Sequence, residues 1–105
     1  MLKKLQLENK IWSEYNFPNK EPWEPLLGVV EEVGELAHAH LKAVQKIRVD
    51  EELIALSKDA IGDIVVFLAD YCNQMEFDLE KIVEEVWNEV KQRDWQKDPE
   101  KGGRR

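Results

Sequence analysis

The sequence predicts an all-α protein in which four helices form a bundle. Apolar residues recur at the 3.6-residue helical period in four segments, and two of these segments also carry carboxylates four residues apart. No stretch has the pattern of a βαβ unit, a phosphate-binding glycine loop or a zinc finger. A chain of 105 residues with 43% hydrophobic content fits one domain. We predict that this domain spans residues 1–96, that residues 97–105 fray, and that so small a domain gains stability by oligomerising.

The first two helices are separated by a short linker. Residues 1–16 carry loosely spaced apolar side chains, and Phe17-Pro18 ends the first helix because the residue before proline disfavours helix. The second helix is predicted over residues 25–47. Gly28 and Gly34 each cost it about 1 kcal/mol, but they allow another helix or a ligand to approach closely. The apolar residues predicted to form its buried face are Leu26, Val29, Val30, Val33, Leu36, Ala37, Leu41 and Val44.

The other two helices are predicted from similar signals. The third spans residues 57–75, with Ser57 as a possible cap and a connector before it that has room for a helical turn at 51–56. The fourth spans residues 79–95, with Asp78 as its N-cap. Cys72, the single cysteine, falls among apolar residues and is predicted to lie in the core, which leaves no disulfide and no cysteine-based metal site.

Carboxylates on the second and third helices are the feature that points to function. Glu31 and Glu35 share one helical face, with Glu32 to one side. On the third helix, Asp59 and Asp63 share a face, which Asp70 extends; apolar Val66 and Phe67 flank it, which favours a cleft over a fully solvated surface. Because like charges at this spacing repel, two such helices that face each other need cations.

The composition excludes some classes of partner. A net charge of −7 works against binding to a nucleic-acid backbone, which depends on basic surface. No apolar run approaches the roughly 18 residues of a membrane span, and the first residues lack the pattern of a signal peptide. We therefore expect a cytoplasmic protein without nucleic-acid or membrane partners.

Clustered carboxylates suit magnesium or manganese, which prefer oxygen ligands and commonly bridge carboxylates to substrate phosphates. The natural substrate of such a site is a phosphoanhydride. The alternative is that the carboxylates form ordinary solvated helix faces. Few basic residues lie at i,i+4 positions to neutralise them, Lys42 being the nearest, and this favours a site.

The run Glu31-Glu32-Val-Gly-Glu35-Leu, followed by Ile-Gly-Asp63-Ile, resembles the MazG-like branch of the all-α nucleoside triphosphate pyrophosphohydrolases. The resemblance covers about residues 12–96. It implies Mg²⁺-dependent hydrolysis of a nucleoside triphosphate to a monophosphate and pyrophosphate, in a homodimer or homotetramer. It also implies that Glu32, Glu35 and Asp63 are metal ligands and that Glu31 is a further ligand or the base that orients water, so Glu31 and Glu32 are the candidate catalytic residues.

The chain departs from the family pattern at one position. Three residues before Asp63, where the family usually has glutamate, this chain has Ala60. Asp59, one residue earlier, is the candidate substitute ligand, and its shorter side chain would reach the metal differently.

Five residues outside the acidic helices are candidates for substrate binding. Lys91 and Arg93, with Asn88, follow the family's placement of phosphate-contacting groups near the end of the fourth helix, although cations there also complement the helix dipole. Trp12 and Trp23 are candidates to stack on the base, although such tryptophans are more often core or interface anchors.

Three other functions remain open. One is a non-catalytic helical dimerisation module whose acidic faces are only surface. Another is a carboxylate-bridged di-metal redox bundle, which Glu35-x-x-His38 suggests but which normally needs a second such motif. The third is cleavage of phosphoribosyl-ATP, an activity of the same superfamily.

Overall fold

The computed structural model describes residues 1–45 and 50–100 and contains four helices, α1 (Leu2–Asn16), α2 (Trp23–Val44), α3 (Asp50–Met75) and α4 (Leu79–Val90). These residues contain no strand, so the all-α prediction and the number of helices are confirmed. No helix within these ranges is long and apolar enough to cross a membrane.

The helix bounds differ from the prediction at three places. Helix α2 begins at Trp23, two residues earlier than predicted. Helix α3 begins at Asp50, so residues 51–56 are helical and Ser57 lies inside the helix; its prediction as a cap is wrong. Helix α4 ends at Val90, five residues earlier than predicted. The predicted end of the second helix at residue 47 falls outside the described residues.

Helix α3 is the centre of the fold, because α1, α2 and α4 all pack against it. Helix α4 also contacts α1, whereas α2 contacts only α3 among the described helices. The radius of gyration is 17.2 Å, against about 13 Å for a compact domain of this length. Within residues 1–45 and 50–100, the four helices of one chain therefore do not surround a single core. The small apolar cluster that it does enclose consists of Ala69, Cys72 and Leu79, with Leu2 and Leu5 packed against it.

Cys72 lies in this cluster, as predicted, and is buried. Burial raises the pKa of its thiol, and the nearby charge of Asp78 raises that pKa further. The residue therefore stays a neutral thiol and serves as a small apolar side chain.

Helix α1 turns its polar side toward the rest of the chain. Asn9 and Ser13 are buried against α3, and the Asn73 side chain donates hydrogen bonds to the Gln6 carbonyl oxygen at 2.9 Å and to Asn9 Oδ1 at 3.3 Å. The opposite side of the helix is apolar and exposed. We call this opposite side the apolar α1 face: Leu7, Ile11, Trp12 and Tyr15.

Helix α2 also leaves an apolar side uncovered. Its contact with α3 buries Pro25 and Ala39 and half-buries Val29 and Leu36. Most of the predicted buried face is instead exposed in the single chain, so that part of the core prediction is wrong here. The exposed members of the predicted face are Leu26, Val30, Val33, Ala37, Leu41 and Val44. The large exposed apolar residues of the helix, which we call the apolar α2 face, are Leu26, Leu27, Val30, Val33, Leu41 and Val44.

Close packing of α2 on α3 depends on Gly28. A Cβ atom at this position would lie 2.7–2.8 Å from the ring of Phe67, closer than carbon atoms can approach. The predicted role of Gly28 in close helix approach is confirmed. Gly34 has open space around it, so no such constraint applies there.

Replacing Gly28 with alanine is therefore expected to destabilise the fold by about 1–3 kcal/mol, because forcing the Phe67 ring aside outweighs the gain in helix propensity. The matched control is Gly62→Ala on α3, where nothing lies within 4 Å of the new Cβ. That change is expected to stabilise by up to about 1 kcal/mol. Urea unfolding of both variants measures these changes. An equal gain in the free energy of unfolding for both variants would contradict the close packing of Gly28 on Phe67.

The turn between α3 and α4 is held by the N-terminal helix. Glu76 adopts a left-handed φ of 59°, and the Phe77 amide donates to the Cys72 carbonyl at 2.8 Å, which together form a Schellman ending for α3. Asp78 accepts from the Lys81 amide, which confirms it as the N-cap of α4. From α1, the Gln6 side chain donates to the Phe77 carbonyl and accepts from the Leu79 amide, at 2.6 and 2.9 Å.

Candidate functional site

The contact between α2 and α3 brings acidic residues of both helices together around Glu32. Partial burial raises the pKa of Glu32, and the negative charges of Glu35, Asp63 and, more weakly, Glu31 raise it further. Glu35 and Glu31 lie on the same helix as Glu32, but Asp63 comes from α3. Carboxylates that the sequence places 31 residues apart therefore share one electrostatic environment.

A hydrogen bond between the side chains of Glu32 and Glu35 contributes to the raised pKa of Glu32. The two carboxylates are therefore close together, and a cation bound beside them would relieve the same repulsion.

Asp59 and Ala60 lie one turn before Asp63 on α3. Asp59 is exposed, and its charge is not among those that raise the pKa of Glu32. Ala60 is 3% exposed, so the position where the MazG-like pattern has glutamate is filled here by a buried methyl group. The role of Asp59 as a substitute ligand stays a prediction.

Glu31, Glu32, Glu35 and Asp63 would offer a metal ion only carboxylate oxygens, which are the ligands that a hard divalent cation prefers. Within residues 1–45 and 50–100, no three acidic, histidine or cysteine side chains already converge closely enough to hold an ion. Glu31, Glu35 and Asp63 are exposed on the helix surface. Their side chains are therefore able to change rotamer when a cation binds.

A cavity of about 540 Å³ opens beside the carboxylates, lined by Glu31, Gly34, Glu35, His38 and Leu56. His38 therefore lies next to the acidic cluster. The open space at Gly34, where no heavy atom lies within 4 Å of the point that a Cβ atom would occupy, keeps this side of α2 accessible.

A second cavity, of about 510 Å³, lies further along the same α2–α3 contact. Its apolar walls include Phe17 and Pro25, together with the Phe67 ring that packs on Gly28. Pro25 precedes Glu32 by seven residues, which is about 10 Å of helix on the same face. The second cavity and the carboxylates therefore lie about two helical turns apart along α2.

A buried ion pair forms the polar part of this second cavity. The Lys20 ammonium binds the Asp70 carboxylate, and both side chains are almost fully buried, at 11% and 6% exposed. Ser13 Oγ accepts from Lys20 Nζ at 2.5 Å and donates to Asp70 Oδ1 at 3.3 Å. Asp70 is thus separate from the carboxylates around Glu32, and its predicted membership of one acidic cleft with Asp59 and Asp63 is wrong.

The five predicted substrate-binding residues lie at the edges of these cavities or away from them. Trp12 packs edge-on against Phe17, with ring centroids 5.9 Å apart, beside the second cavity, and Trp23 opens α2 and is exposed. Asn88 lies on α4, and Lys91 and Arg93 follow it. Because α4 packs on α1 and α3 and not on α2, these three stay predictions that the fold of one chain does not test.

Sequence reasoning missed the residues that form the second cavity, Phe17, Lys20 and Asp70. One signal was available: Lys20 is the only lysine or arginine between Lys10 and Lys42. An isolated cation in a segment rich in aromatic and proline residues indicates a specific partner.

The raised pKa of Glu32 leads to a stability prediction. Because this pKa lies above its usual value of 4.5, ionised Glu32 disfavours the fold, and this loss is complete once the pH exceeds the raised pKa. Glu32→Gln is therefore expected to melt higher than the native protein at pH 7 without metal, and the difference should vanish as the pH falls below about 4.5.

Thermal unfolding between pH 4 and 7.5 measures this difference, with exposed Glu85→Gln as the matched control. A native protein that is the more stable of the two at pH 7 would contradict the charge repulsion around Glu32.

Comparison of the chain with protein-family models, curated proteins and solved structures finds no match.

Proposed function

We propose that this protein is a MazG-like, Mg²⁺-dependent nucleoside triphosphate pyrophosphohydrolase acting on the nucleotide pool of the cytoplasm. The observation that carries the proposal is that Glu32, Glu35 and Asp63, on two different helices, share one electrostatic environment, in which the charges of Glu35 and Asp63 raise the pKa of Glu32. Water attacks at the α–β phosphoanhydride, so a triphosphate and water give a monophosphate and pyrophosphate.

Each acidic residue has a defined task in this proposal. Glu32 and Glu35 on α2 and Asp63 on α3 would hold the cation, with Asp59 as a further candidate ligand. When bound, Mg²⁺ or Mn²⁺ supplies positive charge that offsets the negative charge developing on the phosphates. Glu31, exposed at the mouth of the cavity beside Glu35, orients the attacking water and accepts its proton.

The second cavity suits the base of the same nucleotide. Its aromatic and proline walls offer flat apolar surface. Its wall at Pro25 lies about 10 Å along α2 from Glu32, a distance that the sugar and the first phosphate can bridge. Trp12, which contacts Phe17, would extend the aromatic wall, while Lys91, Arg93 and Asn88 remain candidates for the outer phosphates.

We also propose that the functional unit is a homodimer or homotetramer. The chain exposes 8240 Å², which exceeds by about 2,100 Å² the area typical of a monomer of 12.3 kDa. Obligate dimers bury on the order of 1,000–2,500 Å² per chain. The apolar α1 and α2 faces are the surfaces that a second copy would cover.

Ile11 on the apolar α1 face provides a test of assembly. It is 66% exposed in one chain, so Ile11→Glu should leave the fold intact and shift the protein to monomer, while Lys10→Glu on the same helix should not. Sedimentation velocity measures both. A native protein that is monomeric at high micromolar concentration would refute the assembly.

The function itself is tested by pyrophosphate release from canonical, deoxy and damaged nucleoside triphosphates and from phosphoribosyl-ATP, with and without Mg²⁺. Metal-dependent release from a triphosphate is the expected result. Release from phosphoribosyl-ATP alone would identify the related activity of the superfamily. Absence of release from every substrate, in a protein that still assembles, would favour the non-catalytic dimerisation module.

A further inference from the structure

The Lys20–Asp70 ion pair has hydrogen-bonding capacity left for a ligand. An ammonium carries three N–H donors, and Lys20 uses two of them, on Ser13 and Asp70. A carboxylate accepts about four hydrogen bonds, and Asp70 accepts from Lys20 and Ser13. Both residues line the second cavity. One donor and at least one acceptor therefore lie side by side at its wall.

The surroundings hold these two groups in place. Lys20 Nζ lies 5.0 Å from the centre of the Phe17 ring, and Phe17 itself lines the cavity. The ion pair joins the segment between α1 and α2 to the middle of α3, while Ser13 joins it to α1. Three segments of the chain therefore fix the position of one polar pair beside aromatic walls.

A donor and an acceptor that are adjacent, buried and flanked by aromatic rings match the edge of a heterocyclic base. We propose that Lys20 and Asp70 recognise the base of the nucleotide: Lys20 donates to a carbonyl oxygen of the base and Asp70 accepts from the neighbouring ring N–H. This inference rests on the proposed function for its physiological substrate but not for the binding it predicts. The ligand class is a base with a free N–H beside an acceptor.

Methylated nucleosides test this recognition on the native protein, without phosphate or metal. Uridine and inosine keep the N–H next to a carbonyl oxygen, whereas N3-methyluridine and N1-methylinosine replace it with a methyl group. Isothermal titration calorimetry should show that the parent nucleosides bind about ten- to hundredfold more tightly than the methylated ones, as expected for a hydrogen bond to a charged group. Equal affinities, or no binding of any nucleoside, would overturn the proposal.

A charge-neutral double variant tests the two residues directly. Lys20→Met with Asp70→Asn removes both charges and leaves no buried ion alone, and the fold can be checked by circular dichroism. The matched control, Lys81→Met with Glu85→Gln, changes exposed residues of α4. We expect the loss of preference for the parent nucleosides only in the first variant; a folded first variant that keeps the preference would overturn the proposal.

These results are separable from those of the hydrolysis assay. Selective nucleoside binding without pyrophosphate release would remove the proposed activity and leave the base recognition standing. Pyrophosphate release without selective nucleoside binding would support the proposed activity and overturn the base recognition.

Discussion

Asp63→Asn is expected to lower kcat/KM for pyrophosphate release by about a hundredfold or more, because it removes the one acidic charge that α3 contributes to the environment of Glu32. Asp63 is exposed, so the free energy of unfolding should change by no more than about 0.5 kcal/mol. Steady-state kinetics at saturating Mg²⁺, together with urea unfolding, separate a lost site from a lost fold.

Asp59→Asn makes the same chemical change one turn earlier on α3 and tests Asp59 as a further ligand. Asp59 is exposed and does not contribute to the raised pKa of Glu32, so we expect its loss to lower activity less than the loss of Asp63 does. A loss as large as that of Asp63→Asn would instead identify Asp59 as the ligand that replaces the glutamate missing at Ala60. Full activity of Asp63→Asn would contradict the site itself.

Asp70→Ala is expected to destabilise the fold by about 3–5 kcal/mol, the usual cost of leaving one partner of a buried ion pair alone. The Lys20 side chain is 11% exposed, so its charge cannot reach bulk water without moving the segment between α1 and α2. A loss of this size is a large fraction of the roughly 5–15 kcal/mol that holds a small domain together. Urea unfolding at pH 7 measures it.

The double variant Lys20→Met with Asp70→Asn is the control for this prediction. With neither charge present, the penalty of an unpaired ion disappears, and we expect most of the lost stability to return. If Asp70→Ala costs less than about 1 kcal/mol, the pair is neither as buried nor as tightly coupled as the structure indicates.

Local signals in the sequence were sufficient to predict that the four helices form. The 3.6-residue period marked all four, proline after Phe17 ended α1, and Asp78 capped α4. The start of α3 was predicted wrongly at Ser57. Serine favours helix N-termini, but it is also tolerated inside a helix when tertiary packing extends the helix past it. Helix periodicity also placed Glu32 and Glu35 close together, as the structure has them.

The sequence did not predict which side of each helix would be covered. An apolar stripe indicates burial but not the surface that buries it. Val30 and Val33 were therefore assigned to the core, although in one chain they are exposed. The ion pair of Lys20 with Asp70 was equally unpredictable, because no periodic signal connects a residue of a short linker to a helix 50 residues later.

The Gln6 side chain has a consequence for the order in which the chain folds. It bonds to the Leu79 amide, 73 residues away, and so completes the start of α4 and the end of α3 from the opposite end of the sequence. Contacts of such long separation close a large loop and therefore form slowly and late. On a ribosome, α1 emerges before α3 and α4, so Gln6 finds these hydrogen-bond partners only after residue 79 has been synthesised.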